Sequence, residues 1–594
     1  MCGIAGIYDT LGRDNEGQID RMLHALVHRG PDGCGSFSEG PMSLGNRRLA
    51  ILDLSDAGAQ PMVDRTGRYV ITYNGEIFNY RELRDELRQA GQEFTSDGDT
   101  EVLLAALAQW GADALPRLNG MFAFALYDRR TRTLFCGRDR LGVKPFVYVW
   151  AGKRFAFASE HKALLAGGFG ASEPSPEAVY EYVVRGYTTS GRSFFSGMHS
   201  LPPGSSVWVG PNGSPRFRRW WTCPVAQDTE TEPGELAERV GELLDDAVRL
   251  RLRSDVPVGA HLSGGFDSSA VVGAAARHAT RPLVTFTGAM RGDSDSDERP
   301  FARAVNAKWG LVGREVEVGH EEFAEAFDRI LGCLDEPVAG PGVFPQLAVC
   351  DLARRHGVKV VLGGQGGDEL FGGYTRHQAL HQRARLVSGT PAERARAVVS
   401  LAKLGLREWR RLRQTRPRVR DRELDASFLA LLDPVFREEV RRTPALVRDV
   451  GELMRWDLEN YLPALLHVED RTSMAASLES RTPLLDYRLV ELVRRVPASH
   501  HFEQGPKSLL RAAVHDWLPG VVAARTDKRG FPTPLHLWRS QPAMKELVLE
   551  LTGSRPTPVF SSAYLRQAVY LPASELWTVM MVQGWLRRIT DGRA

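Results

Sequence analysis

Apolar positions change their period along the chain, and each change predicts a different kind of element. Near the start, Ile4-Ala5-Gly6-Ile7-Tyr8 reads as a strand. Val102, Leu103, Leu104, Ala106 and Leu107 recur at helical spacing and predict a core-facing helix. Phe122-Ala123-Phe124-Ala125-Leu126-Tyr127 and Thr133-Leu134-Phe135-Cys136 then predict a strand pair around a polar turn. From about residue 167 to 235 the texture turns rich in Pro, Gly and Ser, as in Leu201-Pro202-Pro203-Gly204, which marks the end of one domain and its link to the next. The polar run at 227–232 reads as an exposed connector, and Leu236, Val240, Leu243, Leu244 and Val248 give the following helix its apolar stripe.

Past this link the pattern alternates. Strand-like segments at 283–288, 312–318 and 359–364 are separated by helical stretches at 300–309 and 345–356. Such alternation predicts a doubly wound parallel sheet with its ligand at the carboxyl ends of the strands. The chain therefore divides into an expected first domain at 1–215 and a second at 216–594. The second domain becomes Arg-rich over 377–448 and ends in helical-looking sequence. Interleaved Leu, Trp and acidic residues there suit solvated basic helix faces better than a nucleic-acid surface.

Composition narrows the class. At 594 residues the chain exceeds what one core supports. A net charge of +3, from 76 basic and 73 acidic residues, gives no global field for nucleic acid or membrane. No run of eighteen apolar residues and no signal-peptide pattern are present. Six single cysteines without a CxxC pair argue against disulfides and zinc, so a cytoplasmic location is expected.

Candidate chemistry lies in two places. Leu262-Ser263-Gly264-Gly265-Phe266-Asp267-Ser268-Ser269 follows a strand-like segment and leads into a helix start. A strand, a Gly-rich turn and a helix N-terminus make an anion site, because unpaired N–H groups and the helix dipole converge on one point. Asp267 would repel a bare phosphate, so a divalent cation bridging the two is the natural reading. At the other place, removal of Met1 would leave Cys2 as the terminal residue, with a thiol nucleophile and a free α-amine as its general base.

Motifs around both places carry a family resemblance. The central loop resembles the SGGxDS pyrophosphate loop of ATP pyrophosphatases and lacks the Lys of kinase-type phosphate loops. Cys2, Arg29-Gly30-Pro31-Asp32-Gly33, Arg48-Leu49-Ala50-Ile51-Leu52-Asp53, Asn74-Gly75-Glu76-Ile77-Phe78-Asn79 and Gly98-Asp99-Thr100-Glu101 resemble, in order, the class II glutamine amidotransferase domain. Together they resemble the glutamine-hydrolysing asparagine synthetases of the B type. The resemblance implies an N-terminal-nucleophile αββα sandwich, followed by a doubly wound parallel-sheet ATP pyrophosphatase domain with a helical C-terminal part, an α+β unit joined to an α/β unit.

Carried over by motif, Cys2 attacks glutamine, Asn74 and Gly75 form the oxyanion hole, and Arg48, Glu76 and Asp99 help hold the substrate, Arg48 on its α-carboxylate and Asp99 on its α-ammonium. Leu262, Ser263, Gly264, Gly265, Asp267, Ser268, Thr287, Gly288, Gly363 and Gly364 would bind ATP, with Thr287 and Gly288 flanking the adenine. Asp267 and Asp368 would hold Mg²⁺, and Lys528 would steady the departing pyrophosphate. Lys507 is also family-like, as are His467-Val468-Glu469-Asp470-Arg471 and Leu478-Glu479-Ser480-Arg481, which resemble the helix and turn bracing the synthetase site.

One position departs from the family. Its best-known members read Gly-Glu-Gly where this chain reads Gly364-Gln365-Gly366, and that Glu is associated with forming and amidating the aspartyl adenylate. Gln365 keeps the shape but cannot accept a proton from ammonia. Either the base lies elsewhere or the acceptor is not aspartate. The expected partners are glutamine, ATP and aspartate or another carboxylic acid, without nucleic acid or membrane, with a homodimer left open. Rival readings are amidation of a specialised carboxylic acid, tRNA modification, and a regulatory protein with dead sites. The intact glutaminase blocks speak against the last two.

Overall fold

The computed structural model describes residues 2–170, 172–189, 191–226, 232–415, 419–442, 449–525, 533–553 and 559–593, without the side chains of 233 and 406–415. The first part forms β1 (Cys2–Asp9), β2 (Gly33–Glu39), β3 (Met42–Arg48), β4 (Met62–Val63), β5 (Tyr69–Ile77), β6 (Gly120–Asp128), β7 (Thr133–Arg138), β8 (Val147–Ala151), β9 (Arg154–Ala158), β10 (Met198–Ser200), β11 (Ser205–Val209) and β12 (Pro215–Arg219). They make two six-stranded sheets, ordered β10-β8-β9-β1-β3-β2 and β12-β11-β7-β6-β5-β4. Every pairing within them is antiparallel.

The sheets face one another across Ile4, Tyr8, Leu44, Val70, Ala123, Ala125, Leu134 and Phe157. Their outer faces are covered by helices: Ile19, Met22 and Leu23 pack beside Ala5 and Ile7, while Val102, Leu103 and Leu107 pack beside Ile71, Phe122 and Phe124. This is the αββα sandwich that the N-terminal motifs implied. Strand β6 lies inside its sheet with apolar layers on both sides, which is why its sequence is a continuous apolar run rather than an alternation. Gly6 is required where β1 pairs with β9, since a Cβ there would stand 2.2 Å from the ring of its partner Phe157.

The second part contains β13 (Val258–His261), β14 (Val284–Met290), β15 (Val312–Val318), β16 (Val360–Leu362) and β17 (Glu479–Arg481). These form one parallel sheet in the order β15-β14-β13-β16-β17. The order reverses direction between β13 and β16, so the crevice at their carboxyl ends is the place where open α/β sheets take ligands. The expected helices stand at Pro233–Arg251, Arg299–Trp309 and Val343–Arg355. The expected division after residue 215 falls at the first residue of β12, and most of the expected connector, 227–231, lies outside the described residues.

The two parts share a core. Met22 and Tyr182 of the first belong to one apolar cluster with Phe323, Trp577 and Met580 of the second. All six cysteines are free thiols, and no described helix is long and apolar enough to cross a membrane.

Candidate active sites

The first site lies where the two antiparallel sheets meet at their edge. In the β1–β3 pairing Cys2 stands opposite Arg48. The Cys2 nitrogen donates to Asn74 Oδ1 at 2.9 Å, which ties the nucleophile's residue to the second sheet. The amide nitrogen of Asn74 is buried and has no hydrogen-bond partner among the described residues. Burial pushes the Cys2 thiol above its ordinary value, against the pull of the amino-terminal charge and Arg48. A thiol so held needs a base to become a nucleophile.

The residues expected to hold the substrate are engaged by other groups of the protein. Asp99 opens the helix Asp99–Trp110, and its Oδ2 accepts from the Tyr73 hydroxyl and the Ile77 N–H, both at 2.8 Å. Burial raises its pKa. Burial and Asp99 push Glu76 well above the ordinary carboxylate range, opposed by Arg481 of the second domain, whose Nη2 lies 3.2 Å from Glu76 Oε2. Arg48 donates to the backbone carbonyls of Ser55, at 2.8 Å, and Asp53. The same segment is stitched to the second domain: Asp53 N–H donates to Asp255 Oδ2 at 2.8 Å, and Asp255 N–H donates to Ile51 O at 3.0 Å. The space beside Cys2 is about 30 Å³, room for a water or two, and Arg48, Leu49, Ile51, Leu52 and Gly58 line it.

The second site is a cavity of about 830 Å³, at the upper end of small-molecule pockets, which run to ~1,000 Å³. It is lined by the two Gly-rich loops that follow β13 and β16, among them Ser263, Gly265, Asp267, Ser268, Gly363, Gly364, Gln365 and Asp368. The loops touch because the second presents glycine to Asp267 and Ser268 of the first. A Cβ on Gly364 would stand 2.7 Å from Ser268 N, and one on Gly367 would stand 2.5 Å from Asp267 Cγ. Ser263 Oγ and Ser268 Oγ lie 3.0 Å apart across the mouth of the first loop. Arg525 braces that loop from behind, donating to Gly264 O at 2.9 Å and to Glu298 Oε1 at 2.8 Å.

Asp267 and Asp368 converge on one cation. Lys507 Nζ lies 2.5 Å from Asp267 Oδ2 and 2.8 Å from Asp368 Oδ1. Against its burial, the two carboxylates hold the ammonium well above its ordinary pKa. Leu262, Gly264, Thr287 and Gly288 sit behind the cavity wall, where the Thr287 hydroxyl donates to Leu262 O at 2.7 Å. Lys528 lies outside the described residues. In the sequence Lys507 is only family-like; in the structure it has a left-handed backbone, φ 59°, after the Gly505-Pro506 turn. That turn was the available signal.

Between the sites runs a buried layer of paired charge. Arg29, fully buried, donates through Nε to Cys2 O at 3.2 Å, through Nη1 to Glu160 Oε1 at 2.6 Å, and through Nη1 and Nη2 to Asp470 at 2.8 and 2.9 Å. Against its burial, Arg29 holds the Asp470 carboxyl below the ordinary range. Arg481 likewise joins Glu479, at 2.5 Å, to Glu76. Beside these charges lies a small apolar cluster of Leu49, Ile51, Val360 and Met474, drawn from both domains. Leu49 follows Arg48, and Val360 begins the strand that ends at the second Gly-rich loop.

Two family profiles match the chain: a Glutamine amidotransferase domain over 1–221 and Asparagine synthase over 239–587. "Asparagine synthetase [glutamine-hydrolyzing] 1" of Bacillus subtilis (strain 168) is 30% identical, covering 98% of this chain and 96% of the relative. "Asparagine synthetase [glutamine-hydrolyzing] 3" of the same organism is 31% identical over 90% and 88%. "Amidase chyE" of Penicillium rubens is 28% identical over 92% and 91%.

Proposed function

The chain belongs to the glutamine-dependent asparagine synthetase family, ATP-dependent ligases that use glutamine as nitrogen donor, and from that premise we propose the course of its reaction. Glutamine is hydrolysed at Cys2, ammonia crosses the domain interface, and an adenylated carboxylate is converted to its amide. With aspartate as acceptor, asparagine, AMP, pyrophosphate and glutamate are released. The observation that carries this reading is the presence, in one chain, of the Cys2–Asn74 pair and the Asp267–Asp368 loops on either side of a shared buried interface.

Cys2 Sγ attacks the glutamine carboxamide after the α-amine of Cys2, freed by loss of Met1, takes the thiol proton. The unpartnered Asn74 amide and the Gly75 N–H receive the developing oxyanion. Arg48 and Asp99 hold the α-carboxylate and α-ammonium once the 51–58 segment has opened and closed around the substrate. The amine returns its proton to the leaving ammonia, and water then cleaves the thioester. Leu49, Ile51, Val360 and Met474 form an apolar cluster drawn from both domains, a surface along which neutral NH₃ would cross more readily than ammonium.

At the second site the acceptor carboxylate attacks the α-phosphorus of ATP and pyrophosphate leaves. Backbone N–H groups of the Gly264-Gly265 turn and the helix Phe266–His278 face the polyphosphate. Asp267 and Asp368, two converging carboxylates, would hold Mg²⁺, a hard cation that takes oxygen ligands. When bound, the ion neutralises polyphosphate charge. Lys507 meets the same charge from the protein side, and Lys528 is kept in the pyrophosphate role that the family resemblance implies. A cytoplasmic setting agrees with six free thiols.

Gln365 and the likeness to the fungal amidase favour a second reading, in which the same chemistry amidates a carboxylic acid other than aspartate. One experiment separates the two: AMP and pyrophosphate release with ATP, magnesium and glutamine, with and without aspartate. Stoichiometric asparagine supports the first reading. Glutaminase activity without aspartate stimulation supports the second. Failure to hydrolyse glutamine at all refutes both.

A further inference from the structure

A glutamine at position 365 leaves the amidation step without the acid–base group expected there, and the cavity holds a carboxylate that can take its place. Asp267, Asp368, Glu369 and Glu469 are the carboxylates lining the cavity among the described residues. Asp267 and Asp368 are bound to Lys507, and Glu369 accepts from the Tyr374 hydroxyl. Glu469 is placed differently. It projects from the helix Leu462–Ala475 and lies against the first residue of the Gly363–Gln365 loop, where a Cβ on Gly363 would stand 3.5 Å from Glu469 Oε1.

Its orientation is fixed from two sides. Ser480 Oγ, from β17, donates to Oε1 at 2.5 Å, and the Gln346 amide donates to Oε2. A carboxylate has about four lone-pair sites, so two donors leave capacity for a proton from substrate. Glu469 also stands on the ammonia side of the cavity. The next residue, Asp470, is gripped by Arg29, and Met474 on the same helix belongs to the apolar cluster with Leu49, Ile51 and Val360.

Resting on the function proposed above, we infer that Glu469 is the proton acceptor of the amidation step in this chain. Ammonia adds its lone pair to the acyl carbon of the adenylate, the carbonyl π pair moves to oxygen, and Glu469 removes one proton from the new N–H₃⁺ group. Collapse of the intermediate expels AMP with its bonding pair. The balance is acyl-AMP plus NH₃ giving amide, AMP and one proton. Gln365 then has a shaping task beside the acyl group, and the charge that other members place at this loop is supplied from the neighbouring helix.

The test uses the full chain with ATP, magnesium and ammonium chloride, and aspartate as acceptor; should aspartate not stimulate AMP release, the carboxylic acid that does is used. Glu469→Gln keeps the side chain's size, and Gln346 can turn its amide to match. The expected result is amide formation reduced by ~10²–10⁴, with acceptor-dependent exchange of pyrophosphate into ATP and glutaminase activity retained. The residual rate should rise with pH as solution base replaces the lost carboxylate, and Glu469→Asp should recover part of it. Amide formation at the wild-type rate in Glu469→Gln overturns the assignment, as does parallel loss of exchange and amidation in both variants. Absence of AMP release by the wild-type chain with every acid tried refutes the parent reading, and this assignment with it.

Discussion

Replacing Asn74 by Ala tests the glutaminase site at its most specific point. Among the described residues the side chain makes one hydrogen bond, from Cys2 N to its Oδ1, and its buried amide nitrogen has no partner. Two effects follow from removal. Loss of one oxyanion donor lowers kcat by ~10²–10³, or about 2.7–4 kcal/mol of transition-state stabilisation. Loss of the acceptor strands a buried N–H, at about 1–3 kcal/mol of stability. Asn74→Asp separates them, since it keeps an acceptor for Cys2 N but removes the donor and places negative charge where the oxyanion forms. Glutamate release should therefore collapse in both variants, while thermal stability falls more in Asn74→Ala. Ammonia-dependent AMP release should persist, because the second cavity is built from residues beyond 260. Glutaminase loss below about tenfold, about 1.4 kcal/mol, would refute the oxyanion role. So would parallel loss of the ammonia-driven reaction in a folded variant.

Cys2→Ala should abolish glutamine use and spare ammonia-driven synthesis, and Asp267→Asn should lose AMP release while keeping basal glutaminase; retained glutaminase in the first refutes the nucleophile assignment. Arg29→Ala leaves the buried Asp470 without its main cation, while Glu160 keeps Lys162, and removal of one partner of a buried pair costs about 3–5 kcal/mol; an unshifted melting temperature would show that the interface does not depend on it. Buried histidines set an acid limit. Burial holds His467 and His381 at about 4 and His501 at about 3, so the unfolded chain, with histidines near ~6.5, binds protons first as pH falls. Stability is fully present above ~6.5 and is lost toward 4, by up to about 1.4 kcal/mol per pH unit for each histidine. His501, with neither ring nitrogen partnered and Phe371 and Phe502 around it, is the clearest case. His501→Phe should flatten the dependence of melting temperature on pH between 6.5 and 4, and an unchanged slope would contradict this account.

Local pattern made much of the architecture legible. The strand, Gly-rich turn and helix at 258–278 are consecutive residues, so hydrophobic period and glycine placement suffice to announce them. The same holds for the β6–β7 pair and the helix Asp99–Trp110. What stayed hidden depends on residues far apart. Arg29 meets Asp470 across 441 positions, and Asp53 meets Asp255 across 202. No periodicity registers such a pairing, because each partner alone looks like an ordinary surface charge. Lys507 stood out in the sequence as family-like, but its pairing with Asp267 and Asp368 joins residues far apart in the chain. Glu469 was hidden because the motif around it reads as bracing, and only the cavity shows what its carboxylate faces.

The Asp255 stitch bears on whether this chain can be taken apart. The segment that would open for glutamine in the proposed reaction is bonded on one side to Arg48 and on the other to a residue three positions before β13, the strand that runs into the first Gly-rich loop. A glutaminase domain cut away near residue 220 would keep its catalytic thiol and lose half of its substrate gate's anchorage. Swapping in the corresponding domain of a relative would succeed only if the donor's loop and the recipient's Asp255 still meet. The two halves look like exchangeable parts in the primary structure, yet the gate belongs to both, and recombination at the linker is constrained by a contact that neither half carries alone.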